Sequence, residues 1–179
     1  NLIFALDLTA GAEEAGWTER RRFNDRHAAP LAAEARPHPN VPDPERRLRV
    51  GYVSADFRRH SAAYAILPIL EAHDPARVEV TCYSSALNCD DLTDRFRAAA
   101  RRWRDVAAVG DADLAERVRA DGIDVLVDLS GHSAGHRLLA FARRPAPVQV
   151  SAWGYAAGTG LDALDYVFAD AVTVPPDAR

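Results

Sequence analysis

Apolar and polar positions alternate in blocks along most of the chain. Short apolar runs rich in β-branched residues predict strands over Leu48–Ser54, Val78–Ser84, Ile123–Leu129, Val148–Trp153 and Tyr166–Ala169, with a shorter one through Trp103–Val106. Between them the apolar spacing becomes helical. Leu92, Phe96 and Ala99 share one face of Asp90–Arg102, and Leu114, Ala115 and Val118 share one face of Asp111–Asp121. Asp111 is placed to cap the start of that second helix and Gly122 to close its end. Ser133–Arg144 carries Leu138, Leu139 and Phe141 and predicts a further helix. Strands alternating with helices imply βαβ units, an α/β fold with a mostly parallel sheet and helices on both faces.

The first 46 residues follow a different pattern. Glu13–Arg36 predicts a helix rich in Ala, Glu and Arg, with Trp17, Phe23 and Leu31 as apolar contacts and Pro30 ending or kinking it. The run Pro37–His38–Pro39–Asn40–Val41–Pro42–Asp43–Pro44 cannot hold a helix and predicts a stiff linker. This divides the chain into a helical extension with its linker, residues 1–46, and an α/β domain, residues 47–179. There is no internal repeat and no low-complexity tract. The chain opens on Asn1 and closes on Pro175–Pro176–Asp177–Ala178–Arg179, which reads as a piece of something longer.

Composition narrows the function. The 179 residues are 48% hydrophobic and 27% charged, ordinary for a soluble globular protein. A net charge of −4 disfavours general nucleic-acid binding. Every basic residue is Arg, so a lysine phosphate grip or Schiff base is excluded within this chain. Cys82 and Cys89 form no C-x-x-C pair, and reduced cytoplasmic thiols are the default. No apolar run approaches the ~18 residues of a membrane span.

Three stretches carry candidate chemistry. In Leu48–His60 a predicted strand runs into a polar turn bearing Asp56 and, four residues on, His60. Open α/β sheets place ligands at the carboxyl ends of such strands. A carboxylate and an imidazole there can take a proton or orient an acceptor. Spacing alone favours a plainer reading, in which Asp56 caps a helix beginning near Arg58 and His60 is exposed on its first turn. Gly131–His132–Ser133–Ala134–Gly135–His136 follows the strand Val125–Leu129. Its two histidines would suit a metal on a helix, but the glycines and the missing third ligand favour a tight turn with Ser133 as a cap. Gly154–Tyr155–Ala156–Ala157–Gly158–Thr159–Gly160 could let backbone amides approach a ligand, or be a plain turn. It fits neither the dinucleotide fingerprint nor the P-loop. His38 and His73 read as solvated and His27 as a surface residue.

Taken together these segments resemble a known family. Leu48–His60, Asp121–Gly131, Arg144–Gln149, Gly154–Tyr155 and Asp165–Tyr166 occur in the order found in the catalytic region of the O-linked N-acetylglucosamine transferases, including bacterial relatives joined to tetratricopeptide repeats. Asn1–Phe4 and Asp25–Arg26–His27 resemble the helical connection upstream of that region. The resemblance implies the N-terminal half of a two-domain, metal-independent (GT-B) glycosyltransferase with Rossmann-like domains. The nucleotide-binding half and its phosphate-binding Lys would lie beyond this chain. It implies an inverting transfer of N-acetylglucosamine from UDP-GlcNAc to Ser or Thr of proteins, with no cofactor and no metal. The implied partners are acceptor proteins, the C-terminal half and the repeats, with no nucleic acid and no membrane.

By the same resemblance His27, Asp56 and His60 match cleft residues proposed to act at the acceptor hydroxyl. Ser61 and Ala62 match positions beside the sugar and acceptor. Trp153, Gly154, Tyr155 and Ala156 match the sugar-pocket turn. Where the family's turn reads Trp-Leu-Gly-Tyr-Pro-Gly, this one reads Ala152–Trp153–Gly154–Tyr155–Ala156–Ala157, so an indole replaces Leu and the Pro is lost, while the Gly154 amide is kept. A related enzyme using another sugar or an Asn acceptor, or a non-catalytic interaction domain, remain the rival readings.

Overall fold

The structure, a computed structural model, describes residues 2–172 and Val174. Asn1 and the Pro175–Arg179 terminus lie outside the described residues, as does Thr173. Six strands form one sheet: β1 (Leu48–Ser54), β2 (Val78–Ser84), β3 (Arg102–Asp105), β4 (Val125–Asp128), β5 (Val148–Ser151) and β6 (Tyr166–Val167). Their order is β3-β2-β1-β4-β5-β6, and every pairing is parallel. This is the doubly wound Rossmann order, with its switch point between β1 and β4.

The strand residues partition by parity, as a pleated sheet requires. Val50, Tyr52, Val80, Cys82 and Val127 face one core with Ile66, Leu70, Leu92 and Phe96. Those partners lie on α3 (Ala63–Glu71) and α4 (Asp91–Ala99). Val53, Tyr83 and Leu126 face the other core with Leu114, Val118, Leu138 and Phe141. These lie on α5 (Asp111–Ala120) and α6 (Leu138–Phe141). Burial of β1 and β2 on both faces explains their near-continuous apolar sequence.

The helical extension is docked on this second face. After α1 (Leu2–Asp7), α2 (Glu13–Phe23) passes into a π-helical turn, Asn24–Ala28, and a 3-10 turn, Ala29–Glu34, that starts at Pro30. Ala28 is buried in the second core, and Phe23 and Leu31 pack against it. The linker does not hold the extension away. Asp124, just before β4, accepts hydrogen bonds from Asn40 Nδ2 at 2.6 Å, Arg46 Nη1 at 2.8 Å and the Arg49 N–H at 2.8 Å. Burial raises its carboxyl, but these donors outweigh burial and bring it down to about 2.

Several local expectations are corrected. α5 is capped by Gly110 with no side-chain bond, because the Asp111 carboxylate instead takes a hydrogen bond from Arg137 Nε at 2.5 Å. Gly122 does close α5, at a φ of +64°. The helix expected over Ser133–Arg144 shrinks to Leu138–Phe141. Gly131 and Gly135 take φ of +50° and +78°, and Ser133 donates to the Ser130 carbonyl at 2.6 Å rather than capping a helix. His73 is not solvated: its Nε2 lies 2.7 Å from the hydroxyl of buried Tyr52. Among the described residues no helix is long and apolar enough to cross a membrane.

Candidate functional site

The carboxyl ends of β1, β4 and β5 stand side by side at the switch point, and each is followed by one of the three chemistry-bearing stretches. After β1 the chain turns at once. The Asp56 N–H donates to Ser54 Oγ at 2.9 Å, and buried Phe57 packs on Phe96. α3 begins only at Ala63, so Asp56 does not cap it; its N-cap is Ala62. The residues 56–62 are therefore a loop on the sheet edge. In it Asp56 is buried at 7% exposure while His60 is exposed, with Nδ1 3.7 Å from Asp56 Oδ2. That nitrogen also accepts from the Ala62 N–H at 3.3 Å, leaving Nε2 for a ligand. Arg58 lies 3.4 Å from the other Asp56 oxygen. Ser61 is exposed and Ala62 half-buried on the approach to α3.

After β4 a fully buried carboxylate shapes the neighbouring loop. Asp128 accepts from the N–H groups of Ser130 and Gly131 at 3.1 and 2.9 Å, and Ser151 Oγ of β5 lies 3.4 Å away. Burial pushes its carboxyl up to about 6 against the pull of these donors. The loop so formed reaches across β1: a Cβ on Gly135 would come within 2.8 Å of the Ala55 Cβ. His132 Nε2 lies 2.7 Å from the Thr159 carbonyl, so this histidine tethers the loop to the one after β5. Burial lowers the basicity of both His132 and His136. Among the described residues no three His, Cys, Asp or Glu side chains are grouped to hold a metal.

After β5 the backbone passes so close to its neighbour that only glycine fits. A Cβ on Gly154 would stand 1.5 Å from the Leu129 carbonyl oxygen. The Gly154 N–H is engaged within the turn, donating to the Ala152 carbonyl at 2.6 Å. Trp153 is partly exposed and stacks on Phe168, with centroids 5.3 Å apart and rings 11° from parallel. Ala156 is exposed. Tyr155 turns the other way: its ring lies over Gly131 and its hydroxyl donates to Asp7 of α1. Burial and that carboxylate raise the hydroxyl above its ordinary range.

His27 sits on the π-helical turn, a rare conformation often found at functional sites. Its ring centroid lies 5.4 Å from that of Phe23, which meets His132 and His136 edge to face with centroids 5.1 and 6.1 Å apart. His27 thus reaches the β4 loop through Phe23, whereas Asp56 and His60 make their contacts on the loop after β1. Sequence reasoning overlooked Asp128 and Arg20. The signal for Asp128 was a carboxylate inside an apolar strand followed by Ser-Gly.

Glycosyl transferase family 41 matches residues 29–179. The chain belongs to that family. It is 41% identical over 144 residues to the probable UDP-N-acetylglucosamine–peptide N-acetylglucosaminyltransferase SPINDLY of Arabidopsis thaliana, a match covering 78% of this chain and 16% of the relative. It is 37% identical over 131 residues to the Caenorhabditis elegans UDP-N-acetylglucosamine–peptide N-acetylglucosaminyltransferase, covering 72% of this chain and 11% of that protein. A solved structure of a Thermobaculum terrenum O-GlcNAc transferase mutant superposes with a TM-score of 0.92 at 47% identity, over 99% of this chain and 34% of that one. The family 41 chain described here therefore spans about a third of that structure and less of the other two.

Proposed function

We propose that this chain is the acceptor-side half of the catalytic region of an inverting protein O-GlcNAc transferase. The observation that carries the reading is the Asp56–His60 pair on the loop after β1, at the switch point of a family 41 fold. In the reaction an acceptor Ser or Thr oxygen bonds to the anomeric carbon of UDP-GlcNAc. The bond from that carbon to the diphosphate breaks, and UDP leaves with the electron pair. The hydroxyl proton passes to the Asp56–His60 pair, and His27 lies at the acceptor side. Ser61, Ala62 and the turn Trp153–Ala156 border the sugar. Residues 1–46 form the helical connection to upstream tetratricopeptide repeats. The diphosphate is held by a C-terminal half outside this chain, so this part of the reaction needs no lysine here. No metal or other cofactor enters the scheme, and the buried and exposed free thiols of Cys82 and Cys89 suit the cytoplasm.

The test is transfer from labelled UDP-GlcNAc to acceptor proteins by the parent chain and by this chain alone. The parent transfers and the isolated chain does not. Robust enzyme-dependent transfer by the isolated chain would refute the half-enzyme reading. A second reading, a related enzyme moving another sugar, is favoured by the bulk of Trp153 and its Phe168 stack at the turn. In the parent enzyme Trp153→Leu then changes preference among UDP-sugars more than acceptor binding. Unchanged kinetics across donors would make the indole a packing residue only.

A further inference from the structure

The turn after β5 has little structure of its own, and most of what holds it comes from the helical extension. Residues 155–160 include three small residues and two glycines beside Tyr155 and contain no helix or strand. Arg20 of α2, 3% exposed, fills the space behind them. Its Nε donates to the Gly158 carbonyl at 2.5 Å, and one Nη donates to the Tyr155 hydroxyl at 3.1 Å and to Asp7 of α1. The Tyr155 hydroxyl also reaches Asp7, which closes a three-residue network between α1, α2 and the turn.

Glycines clear the room for this guanidinium. A Cβ on Gly16 would stand 2.9 Å from Arg20 Nη1, and one on Gly160 2.7 Å from the Arg20 Cβ. Gly16 lies inside α2, where glycine costs helix stability, so its presence makes sense as space for the side chain. Trp17 packs over Gly158, and Asn24 bonds Asp162 at 2.9 Å, so the same helix and the turn after it restrain the stretch along its length.

The geometry points to Arg20 as a positioning residue: through Tyr155 and the Gly158 carbonyl it sets the shape of the turn that borders the donor sugar. The inference rests on the proposed transferase reading for its kinetic consequence, and on the contacts alone for the clamp. Arg suits the task because one rigid fork meets two oxygens of the turn and a carboxylate together. It also makes the extension part of the site: whatever shifts α1 and α2 shifts the turn.

The test uses the parent chain. Arg20→Ala raises the KM for UDP-GlcNAc by about tenfold and leaves the acceptor KM within about twofold. Tyr155→Phe, which keeps the Arg20–Asp7 pair and the ring over Gly131, moves the donor KM the same way by about threefold. The double variant is no worse than Arg20→Ala, because both changes remove one shared network. Hydrogen exchange of the amides at 155–160 quickens about tenfold in Arg20→Ala while β1 and β4 exchange as before. If Arg20→Ala does not fold, Tyr155→Phe carries the same two readings. Donor and acceptor KM rising together, or a lower melting temperature with unaltered exchange at 155–160, would overturn the positioning role. Should the wild type transfer no sugar at all, the transferase reading fails, and the exchange at 155–160 still decides whether Arg20 holds the turn.

Discussion

Gly154 and Leu129 are in such close backbone contact that a methyl group at position 154 would stand 1.5 Å from the Leu129 carbonyl oxygen. This contact ties the exits of β4 and β5 together, one strand over from the switch point between β1 and β4. The Asp56–His60 pair lies on the next exit, that of β1, where the loop that Asp128 organises meets Ala55.

Substituting Gly154 therefore disrupts the site before it disrupts the sheet. Gly154→Ala lowers stability by about 1–3 kcal/mol, the usual cost of forcing atoms into a packed space. Gly110→Ala is the comparison, because a Cβ there meets only Asp113 Oδ2 at 3.8 Å. Its stability falls by less, at most about 1 kcal/mol, the preference of the α5 N-cap for Gly over Ala. Urea unfolding of both variants checks this; equal stabilities would mean that the turn yields freely.

His73 stabilises the fold without taking part in the site. Its Nε2 is the partner of the Tyr52 hydroxyl, which is 3% exposed with its residue. His73→Ala leaves that hydroxyl unpaired and costs about 1–3 kcal/mol. Adding Tyr52→Phe removes the orphaned group and recovers part of the loss. A His73→Ala chain as stable as wild type in urea would show that water serves the hydroxyl as well.

Asp128 gives stability a pH dependence of defined sign. Its folded-state value of about 6 lies above the ~3.9 of an unfolded Asp. Folding favours the protonated form, so this contribution is complete below about pH 4 and is lost as the pH rises through about 6. Two pH units correspond to up to about 3 kcal/mol. Asp128→Asn removes this dependence. The stability of wild type minus that of the variant then falls between pH 4 and pH 7, and other titrating groups cancel in the difference. A flat difference would place the Asp128 carboxyl near its ordinary value.

Much of this architecture was legible from the pattern of residues. β1 and β2 fall on the predicted bounds, since burial on both faces makes them rich in β-branched and apolar residues with few polar interruptions. β4 and β5 end one or two residues early, because the apolar run continues past the strands: Leu129 and Ala152 are buried in the first core, and Trp153 is exposed against Phe168. The short α6 escaped because periodicity does not register how strongly Asp128 and Thr159 hold the preceding loop. Asp56 and His60 stand out in the sequence only through the family resemblance, since spacing alone favours a cap and an exposed first turn; the structure sets them on one loop with His60 Nδ1 3.7 Å from Asp56 Oδ2. Arg20 was not, because an arginine on an Arg-rich helix looks solvated until the partners on α1 and the β5 loop are known. Tyr155 matched a sugar-side position by resemblance, but its hydroxyl serves this network.

The central claim is that His60 takes part in the transfer and not in the folding of the chain. His60 is exposed, and its ring meets the backbone at the Ala62 N–H in the loop before α3. In the parent enzyme, sugar transfer from labelled UDP-GlcNAc is measured for His60→Ala beside its melting temperature, with His38→Ala as the control away from the sheet edge. The account predicts a melting temperature like that of wild type and transfer lowered by about 10²-fold or more, as befits loss of a group that moves a proton or aligns the acceptor. Full transfer by His60→Ala, or a loss matched by unfolding, would contradict it.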